Sequence, residues 1–375
     1  MRIVILRRKK EIKYNAIISS CISVLFGIAI YLFILWLFNV NLVDAIVILG
    51  GSFISPTIVK DFLIICLIGC GLIISFKASI WNIGGEGQFY VAMIPGIILT
   101  LIVFNPEESN AGIPSVLVII LVIITGALAG AAWATIAGVL KAYMRVDEVP
   151  VTLILNYIAY YLLNYLVSGP LKGKKTYGYL RTDEIPGLYR LNIVLSTPQA
   201  TSSFEGALYG FMTQVAYYLA VLIAVILVFT FIMWMFKYTK LGLYIKILGA
   251  NPDYLLTSGA NVKVLTLCAM ALSGSIVGLT GSLYLLVEWG RIPYGIQSHT
   301  PGYGYQAILA SWLSMLDYRF LPVSAYLVAG LRNTGLSIKI AGLGDTEQSL
   351  IILGSFLLAY SITRFISDYE VKFEW

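Results

Sequence analysis

The sequence predicts an all-α, polytopic membrane protein with about ten transmembrane helices. Of its 375 residues, 59% are hydrophobic and only 12% are charged, whereas a typical soluble domain is roughly 45–50% apolar and about 25% charged. The mean hydropathy is +0.87. The charged residues fall in short clusters, and the uncharged runs between them are long enough to cross a bilayer.

These uncharged runs define the predicted spans in chain order. The first, at 16–38, follows a basic segment, is too long for the apolar core of a signal peptide and has no A-x-A cleavage site. We therefore expect a retained first helix. The other nine runs lie at 62–76, 87–104, 111–140, 149–171, 206–236, 264–287, 292–316, 320–331 and 348–363. Residues 1–375 are predicted to form a single transmembrane domain.

The orientation follows from the basic residues between the spans. A cytoplasmic N-terminus places most Lys and Arg residues inside, whereas the acidic residues divide about evenly between the two sides. Ten spans then place the C-terminus inside as well. The segment at 172–205 becomes a long extracellular loop, and 237–263 becomes the longest cytoplasmic loop. The predicted location is the cytoplasmic membrane, with no segment outside it large enough for a catalytic domain.

Several functions are disfavoured by what the chain lacks. The cysteines lie in apolar runs without C-x-x-C spacing, there is one histidine, His299, and no G-x-x-x-x-G-K-[ST] phosphate loop occurs. We therefore expect no metal, no disulfide scaffold and no ATP hydrolysis by that route. An intramembrane enzyme lacks any paired His, Cys or Asp constellation. We relate the net charge of +6 to the distribution of basic residues between the two sides of the membrane, and not to nucleic-acid binding.

Helix-breaking residues interrupt the chain after the second and the seventh predicted spans. They are Gly84, Gly85, Gly87, Pro301, Gly302 and Gly304. If spans 2–5 and 7–10 are two repeats, these interruptions correspond, and the repeats are inverted because the two spans run in opposite directions. Such matched interruptions point to a transport site. Two ordinary loops are the alternative that the spacing leaves open.

Polar residues surround the first interruption. A carboxylate near the bilayer centre costs about 2.5–3.5 kcal/mol on insertion scales, so Glu86 is expected to face water or the bundle interior. Asn82, Glu86, Gln88 and, in the fifth span, Asn156 are predicted to line a substrate path. The alternative is structural, with Glu86 capping the third helix and the amides satisfying backbone groups freed by the break.

The predicted solute is neutral. Apart from Lys77 at a span end and Arg332, the spans contain no cation that could pair with an anionic substrate. Aromatic residues make up 13% of the chain and could stack on a flat ring, although most are interpreted as interfacial belt residues.

Four segments between 79 and 331 carry distinctive motifs. They are SIWNIGGEGQFYVAMIPG, KAYMRVDEVPVTLILNYIAYYLLNYLVSGPL, LGLYIKILGANPDYLLTSGANV and PGYGYQAILASWLSMLDYRFLPVSAYLVAGL. Together they resemble the permease subunits of bacterial and archaeal ABC importers for nucleosides and simple sugars. N-I-G-G-E-G-Q at 82–88 is the most specific element. The E-V-x-x-T-x-x-x-N-Y-I-A pattern at 148–159, with S-G-P-L at 168–171, is more similar to the nucleoside branch than to the ribose branch.

This resemblance implies a type II ABC importer permease fold of ten helices with inverted repeats. It implies a second permease subunit, two ATPase subunits that bind ATP and Mg²⁺, and an extracellular substrate-binding lipoprotein, with no cofactor on this chain. It also implies that the loop at 237–263 couples to the ATPase. The residues that match or adjoin the family's coupling signature are Gly249, Ala250, Asn251, Pro252, Asp253 and Gly259.

The coupling loop also has local signals of its own. Asn-Pro suits a turn or a helix N-terminus, because Pro fits the first helical turn, and Asp253 suits the positive end of the helix dipole. The chain departs from the family pattern by carrying Leu255 and Leu256 where the family has two alanines. The details of docking and the identity of the partner ATPase stay open.

The sequence as a whole predicts a permease subunit, not an enzyme, that imports nucleosides with energy from a partner ATPase. A simple sugar, such as ribose or another pentose, is the alternative solute. An ion-coupled secondary transporter also uses broken helices, but it would work alone. Which nucleoside or sugar is carried, and whether the two permeases are identical, stay open.

Overall fold

The computed structural model describes residues 2–7, 25–33, 36–37, 41–106, 113–194, 203–300, 302–342, 354–355, 358–359, 362 and 369–374. The chain divides into two units, one formed by residues 1–58 with 326–375 and the other by residues 59–325. The helix-breaking segments and the predicted coupling loop all belong to the second, larger unit.

The described part of the chain is mainly helical. Its longer helices are α1 (Leu42–Ile54), α2 (Ile58–Lys77), α3 (Gly85–Val103), α4 (Ser115–Met144), α5 (Glu148–Ser168), α6 (Ser203–Tyr217), α7 (Leu219–Tyr238), α8 (Lys240–Ala250), α9 (Pro252–Thr257), α10 (Val262–Trp289), α11 (Tyr303–Leu313) and α12 (Leu321–Ile340). Helices α3 and α10 both end in a π-helical turn, at Leu99–Val103 and Leu285–Trp289. Short 3-10 turns lie at Gly187–Tyr189 and Ile296–Ser298.

Six of the described helices are long and apolar enough to cross a membrane, namely α2, α3, α4, α5, α7 and α10. This confirms a polytopic helical membrane protein. The count of ten spans stays a prediction, because much of 16–38 and of 348–363 lies outside the described residues; within the first, residues 25–33 are helical. Two predicted spans need correction. The run at 292–316 is α-helical only from Tyr303, and the run at 206–236 is divided at Tyr218.

Two short strands accompany the helices, and the sequence analysis did not predict them. Strand β1 (Arg2–Arg7) pairs antiparallel with β2 (Tyr369–Glu374), so that Arg2 lies opposite Glu374 and Arg7 lies opposite Tyr369. In β2, apolar and charged residues alternate with the period of two that is typical of strands. The pairing joins segments from opposite ends of the sequence, and it therefore has no local signal.

Helix α2 lies inside the larger unit. Its apolar side chains are buried all round, with Ile64, Leu67, Leu72 and Ile73 among those that are fully inaccessible. A helix that is hydrophobic on every side is expected to be enclosed by other helices, whereas a lipid-facing or amphipathic helix is enclosed on one side only. The interruption that follows its C-terminal end therefore lies in the interior of the bundle.

Helices α4 and α10 pack with their backbones in contact. Small residues recur every four positions on both helices, at Gly126, Gly130 and Ala134 on α4 and at Gly274, Gly278 and Ser282 on α10. A Cβ atom on Gly130 would overlap the carbonyl oxygen of Gly274, and one on Gly278 would overlap the carbonyl oxygen of Gly126. Small-xxx-small stripes of this kind let membrane helices approach closely. Both helices of this pair also pack against the N-terminal part of α3, next to the break.

The smaller unit contains α1 and the C-terminal part of α12. The amide of Asn333 on α12 donates to the carbonyl of Ser52 at 2.9 Å and accepts from the hydroxyl of Thr57 at 3.0 Å. The hydroxyl of Ser52 also donates to that of Ser337 at 3.2 Å. Asn333 thereby satisfies a carbonyl near the end of α1, where the helix itself has no donor.

Candidate functional site

The interruption between α2 and α3 is held by one face of α5. Glu148, Thr152 and Asn156 lie four residues apart, so their side chains project from the same face. The Glu148 carboxylate accepts from the backbone N–H of Trp81 at 3.0 Å, and the Thr152 hydroxyl accepts from that of Ile83 at 3.3 Å. These bonds supply partners to backbone groups that have left the helical ladder.

Asn156 completes this set with two bonds to the same segment. Its carbonyl oxygen accepts from the N–H of Gly87 at 2.8 Å, and its NH₂ group donates to the carbonyl of Ile83 at 2.9 Å. A Cβ atom on Gly87 would stand only 2.9 Å from the Cα of Asn156. In a membrane, each unsatisfied backbone group costs several kcal/mol. The four-residue spacing of polar side chains on α5, at Glu148, Thr152 and Asn156, is therefore explained by their bonds to the break.

A second group of amides holds the break from the side of α10. Asn82 is fully buried. Its NH₂ group donates to the hydroxyl of Ser273 at 3.0 Å, while its carbonyl oxygen accepts from the N–H of Gly84 at 3.1 Å and from the Gln88 amide at 2.8 Å. Asn82 and Gln88 therefore form hydrogen bonds with each other, and Asn82 also bonds to the backbone of the break and to α10.

The two interruptions meet at Glu86. This buried residue lies in the first turn of α3, and its carboxylate accepts from the N–H of Gly304, in the first turn of α11, at 2.6 Å. A Cβ atom on Gly304 would overlap the backbone nitrogen of Glu86. The hydroxyls of Tyr90 and Thr300, 2.6 Å apart, lie beside the carboxylate. The carboxyl group thus lies between two helix N-termini, a position where both helix dipoles favour negative charge.

The structure thus brings the four predicted path residues into one buried group. We define the helix-break cluster as Asn82, Glu86, Gln88, Glu148, Thr152, Asn156, Ser273 and Gly304. Glu86 lies in the first turn of α3, which agrees with the capping alternative, and its carboxyl group also accepts from Gly304 in α11. Helix α3 begins at Gly85 and α11 begins after Gly302, which has a φ of +71°. Pro301 lies outside the described residues. The path-lining role itself stays a prediction.

The segment predicted to couple to the ATPase consists of two short helices, α8 and α9. The Asn251 side chain accepts from the N–H of Tyr254 at 3.1 Å and caps α9, with Pro252 as its first residue and Asp253 in its first turn. Gly259, with a φ of +79°, follows this helix. Leu255 is buried, whereas Tyr254 and Leu256 are exposed. One leucine of the unusual pair therefore packs inward, and the other faces solvent.

This segment contacts the chain directly before the break. The Ser79 hydroxyl donates to the carbonyl of Gly249 at 2.8 Å. A Cβ atom on Gly249 would overlap the carbonyl oxygen of Lys77, the last residue of α2. Displacement of α8 would thus act first on residues 77–79 and then on the interruption that follows them.

Of the predicted extracellular loop at 172–205, the structure describes residues 172–194 and residues 203–205, which begin α6. The segment 172–194 lies along the end of α10, with backbone bonds from Thr182 to Ile292 at 3.0 Å, from Ile185 to Gly290 at 2.6 Å and from Leu191 to Leu286 at 3.2 Å. Among the described residues, no group of three or more His, Cys, Asp and Glu side chains could hold a metal ion.

Sequence reasoning missed several partners of the break. Glu148 and Thr152 belong to a quoted motif without an assigned role, and Ser273 was not singled out. A polar residue at every fourth position of a span could have indicated a shared face for the first two. Lys141, which forms an ion pair with Glu148 at 2.5 Å, lies at the end of α4 and carries no comparable signal.

Comparisons with known proteins agree with this architecture. The glucose ABC transporter permease protein of Haloferax volcanii is 26% identical over 81% of this chain and 75% of its own. The guanosine ABC transporter permease protein of Bacillus subtilis is 27% identical over 82% and 79%. The nucleoside ABC transporter permease protein NupB of Lactococcus lactis is 26% identical over 72% of this chain and 64% of its own. No solved structure matches the chain significantly.

The family match spans both interruptions, the cluster and α8 with α9. Residues 54–361 match the family described as the branched-chain amino acid transport system permease component. Members of this family are transport subunits, not enzymes. The chain belongs to this permease family of ABC transporters.

Proposed function

We propose that this chain forms the membrane-spanning half of an ATP-driven importer that carries nucleosides across the cytoplasmic membrane. The family match over residues 54–361 carries this proposal, together with relatives named for guanosine and for nucleosides. The helix-break cluster contains two acids, and the base beside it, Lys141, is paired with one of them, Glu148. The cluster therefore suits a neutral solute better than a nucleotide, because a phosphate requires a cationic partner.

The proposed assembly follows the type II importer arrangement. A second permease, identical or related, completes the path, two ATPases bind ATP and Mg²⁺, and an extracellular lipoprotein delivers the solute. Both termini face the cytoplasm in this arrangement. The exposed side chains of Tyr254 and Leu256 on α9 provide an apolar surface for the ATPase. Movement there reaches the helix break through Gly249 and Ser79.

A simple sugar is the second candidate solute. It is favoured by the relative in H. volcanii, which is named for glucose. Sugars are neutral, so the charge argument suits them as well as it suits nucleosides. They lack the flat aromatic ring of a nucleobase, and this difference separates the two candidates.

The test is uptake of labelled guanosine into vesicles that contain the complete complex, purified through this chain. We expect uptake that requires ATP and that unlabelled nucleosides, but neither nucleotides nor pentoses, reduce. Competition by pentoses or glucose alone would transfer the assignment to sugars. Competition by nucleotides would contradict the charge argument. Uptake driven by an ion gradient without ATP would contradict the importer class itself.

A further inference from the structure

The outward face of α5 carries a stripe of tyrosines. Tyr157, Tyr161 and Tyr165 follow one another at four-residue spacing and are 51%, 66% and 67% exposed. With Ile154, Ile158 and Leu162 they line a shallow groove of about 530 Å³. We refer to Tyr157, Tyr161 and Tyr165 as the tyrosine face.

The tyrosine face includes residues near the middle of α5, where contact with lipid is least favourable for a hydroxyl group. At a rise of about 1.5 Å per residue, Tyr157 lies about 13 Å from the start of α5 and about 16 Å from its end. Tyrosines that face lipid concentrate at the two interfaces, where the hydroxyl meets water. A hydroxyl transferred to hydrocarbon without a partner loses several kcal/mol. The position of Tyr157 and Tyr161 therefore indicates water or protein beside them.

Two other spans carry exposed faces with the composition that lipid favours. Along α7 the exposed side chains include Ile223, Ile226, Leu227 and Phe231, and the tyrosine of this helix, Tyr238, is its last residue. The hydroxyl of exposed Thr230 bonds back to the carbonyl of Ile226 at 2.7 Å, so it needs no outside partner.

Helix α4 repeats this arrangement. Its exposed residues through the centre are aliphatic, including Ile120, Ile124, Leu128 and Ile136, and Tyr143 lies next to its end. Exposed tyrosines at mid-helix thus distinguish α5 from these two spans.

The tyrosine face also continues into the helix-break cluster. Asn156, whose NH₂ group holds the break, donates to the hydroxyl of Tyr305 on α11 at 3.3 Å. Tyr305 is itself 38% exposed. Tyr157 is the next residue along α5. A row of phenol groups therefore leads along α5 from the site where the two interrupted helices meet.

We propose that the tyrosine face lines the aqueous path of the solute, and that its rings stack on the flat ring of a nucleobase as the solute passes. Because the groove is formed by one helix, a second permease subunit closes its other side. This inference rests on the proposed function and assigns the residues that contact the solute. Stacking of a base on an aromatic side chain tolerates different bases, because every base has a π face.

The test is the reactivity of introduced cysteines in the complete complex, reconstituted in vesicles. Tyr161→Cys is compared with Leu227→Cys, a matched control on the outward face of α7, using a charged, water-soluble methanethiosulfonate reagent. The parent chain supplies the background, because Cys268 is half-buried, whereas Cys66 and Cys70 are buried. Since only a hydrated thiol ionises readily, we expect Tyr161→Cys to react on the order of tenfold faster than the control.

Guanosine is then added to both variants. Slower labelling of Tyr161→Cys, with the control unchanged, supports contact with the solute. Equal slow labelling of both variants overturns the proposal, whatever the complex transports. Fast labelling that guanosine does not slow, in a complex that imports guanosine, overturns the stacking contact. Protection by a sugar, in a complex that imports that sugar and not guanosine, supports the path while the proposed nucleoside function fails.

Discussion

The polar side chains on the inward face of α5 are buried and hydrogen-bonded, whereas those on its outward face are exposed. On the inward face, Glu148, Thr152 and Asn156 are buried and bonded to the backbone of the interrupted helix. On the outward face, Tyr157 and Tyr161 are exposed at mid-helix. A polar residue in a membrane span is thus not by itself a sign of solute contact. Its partners within the chain must be accounted for first.

The largest expected effect is that of Asn156→Leu on the inward face. The change leaves the N–H of Gly87 and the carbonyl of Ile83 without their partner, and each orphaned buried group costs about 1–3 kcal/mol. We expect the yield of folded complex to collapse. Tyr157→Leu, one position along, is the matched control and should keep the parental yield. Equal yields of the two variants would contradict the assignment of the inward face.

The second-largest effect is expected for substitutions of Glu86. Glu86→Ala removes the acceptor of the Gly304 N–H, and a buried donor left without a partner costs about 1–3 kcal/mol. We expect a lower melting temperature and a lower yield. Glu86→Gln, which keeps an acceptor oxygen, should be milder. If both variants fold as the parent does but uptake is lost, Glu86 belongs to the path, and the comparison between the two faces must be redrawn.

A smaller effect is expected in the segment that we propose couples to the ATPase. Loss of an N-cap residue costs about 1 kcal/mol, so the double variant Asn251→Ala, Pro252→Ala should weaken α9 while leaving the fold of the permease intact. We expect less ATPase to copurify and uptake to fall in proportion. Undiminished uptake after loss of the ATPase would contradict coupling through this segment. The helix-break cluster serves as the internal reference, because its stability should not change.

The smallest effect on stability is expected on the tyrosine face. Tyr161→Phe removes the hydroxyl of an exposed side chain, which faces water on the proposed path. The free energy of unfolding should therefore stay within about 0.5 kcal/mol of the parent. The melting temperature of the purified complex measures this. A clear increase in stability would indicate that the face meets lipid, because an apolar ring would then be preferred to a phenol.

The sequence predicted the break but not the way it is held. The glycines and amides of 82–88 are adjacent in the chain, so their pattern is visible locally. Glu148, Thr152 and Ser273 approach that segment only through packing of α5 and α10 against α3. Their spacing shows a shared helix face, but it cannot show which backbone groups they meet.

The same limit applies elsewhere. Asn251 and Pro252 predicted a helix start, because capping depends on neighbours within three residues, and the structure confirms it. The pairing of β1 with β2 joins residues 2–7 to residues 369–374, and no local pattern encodes it. Contact between Glu86 and Gly304 was not predicted, although the two interruptions that contain them were placed at corresponding positions. The tyrosine face was hidden among aromatic residues interpreted as an interfacial belt.

The most direct test of the division between the two faces is uptake per folded complex, measured beside the melting temperature, for Thr152→Val and Tyr161→Ala. Thr152→Val removes a buried bond worth about 0.5–1.5 kcal/mol, so it should lower the melting temperature while guanosine uptake per folded complex is retained. Tyr161→Ala should leave the melting temperature unchanged and reduce uptake about fivefold, the equivalent of about 1 kcal/mol of base stacking. The reverse pattern, with uptake lost in Thr152→Val and stability lost in Tyr161→Ala, would contradict the account.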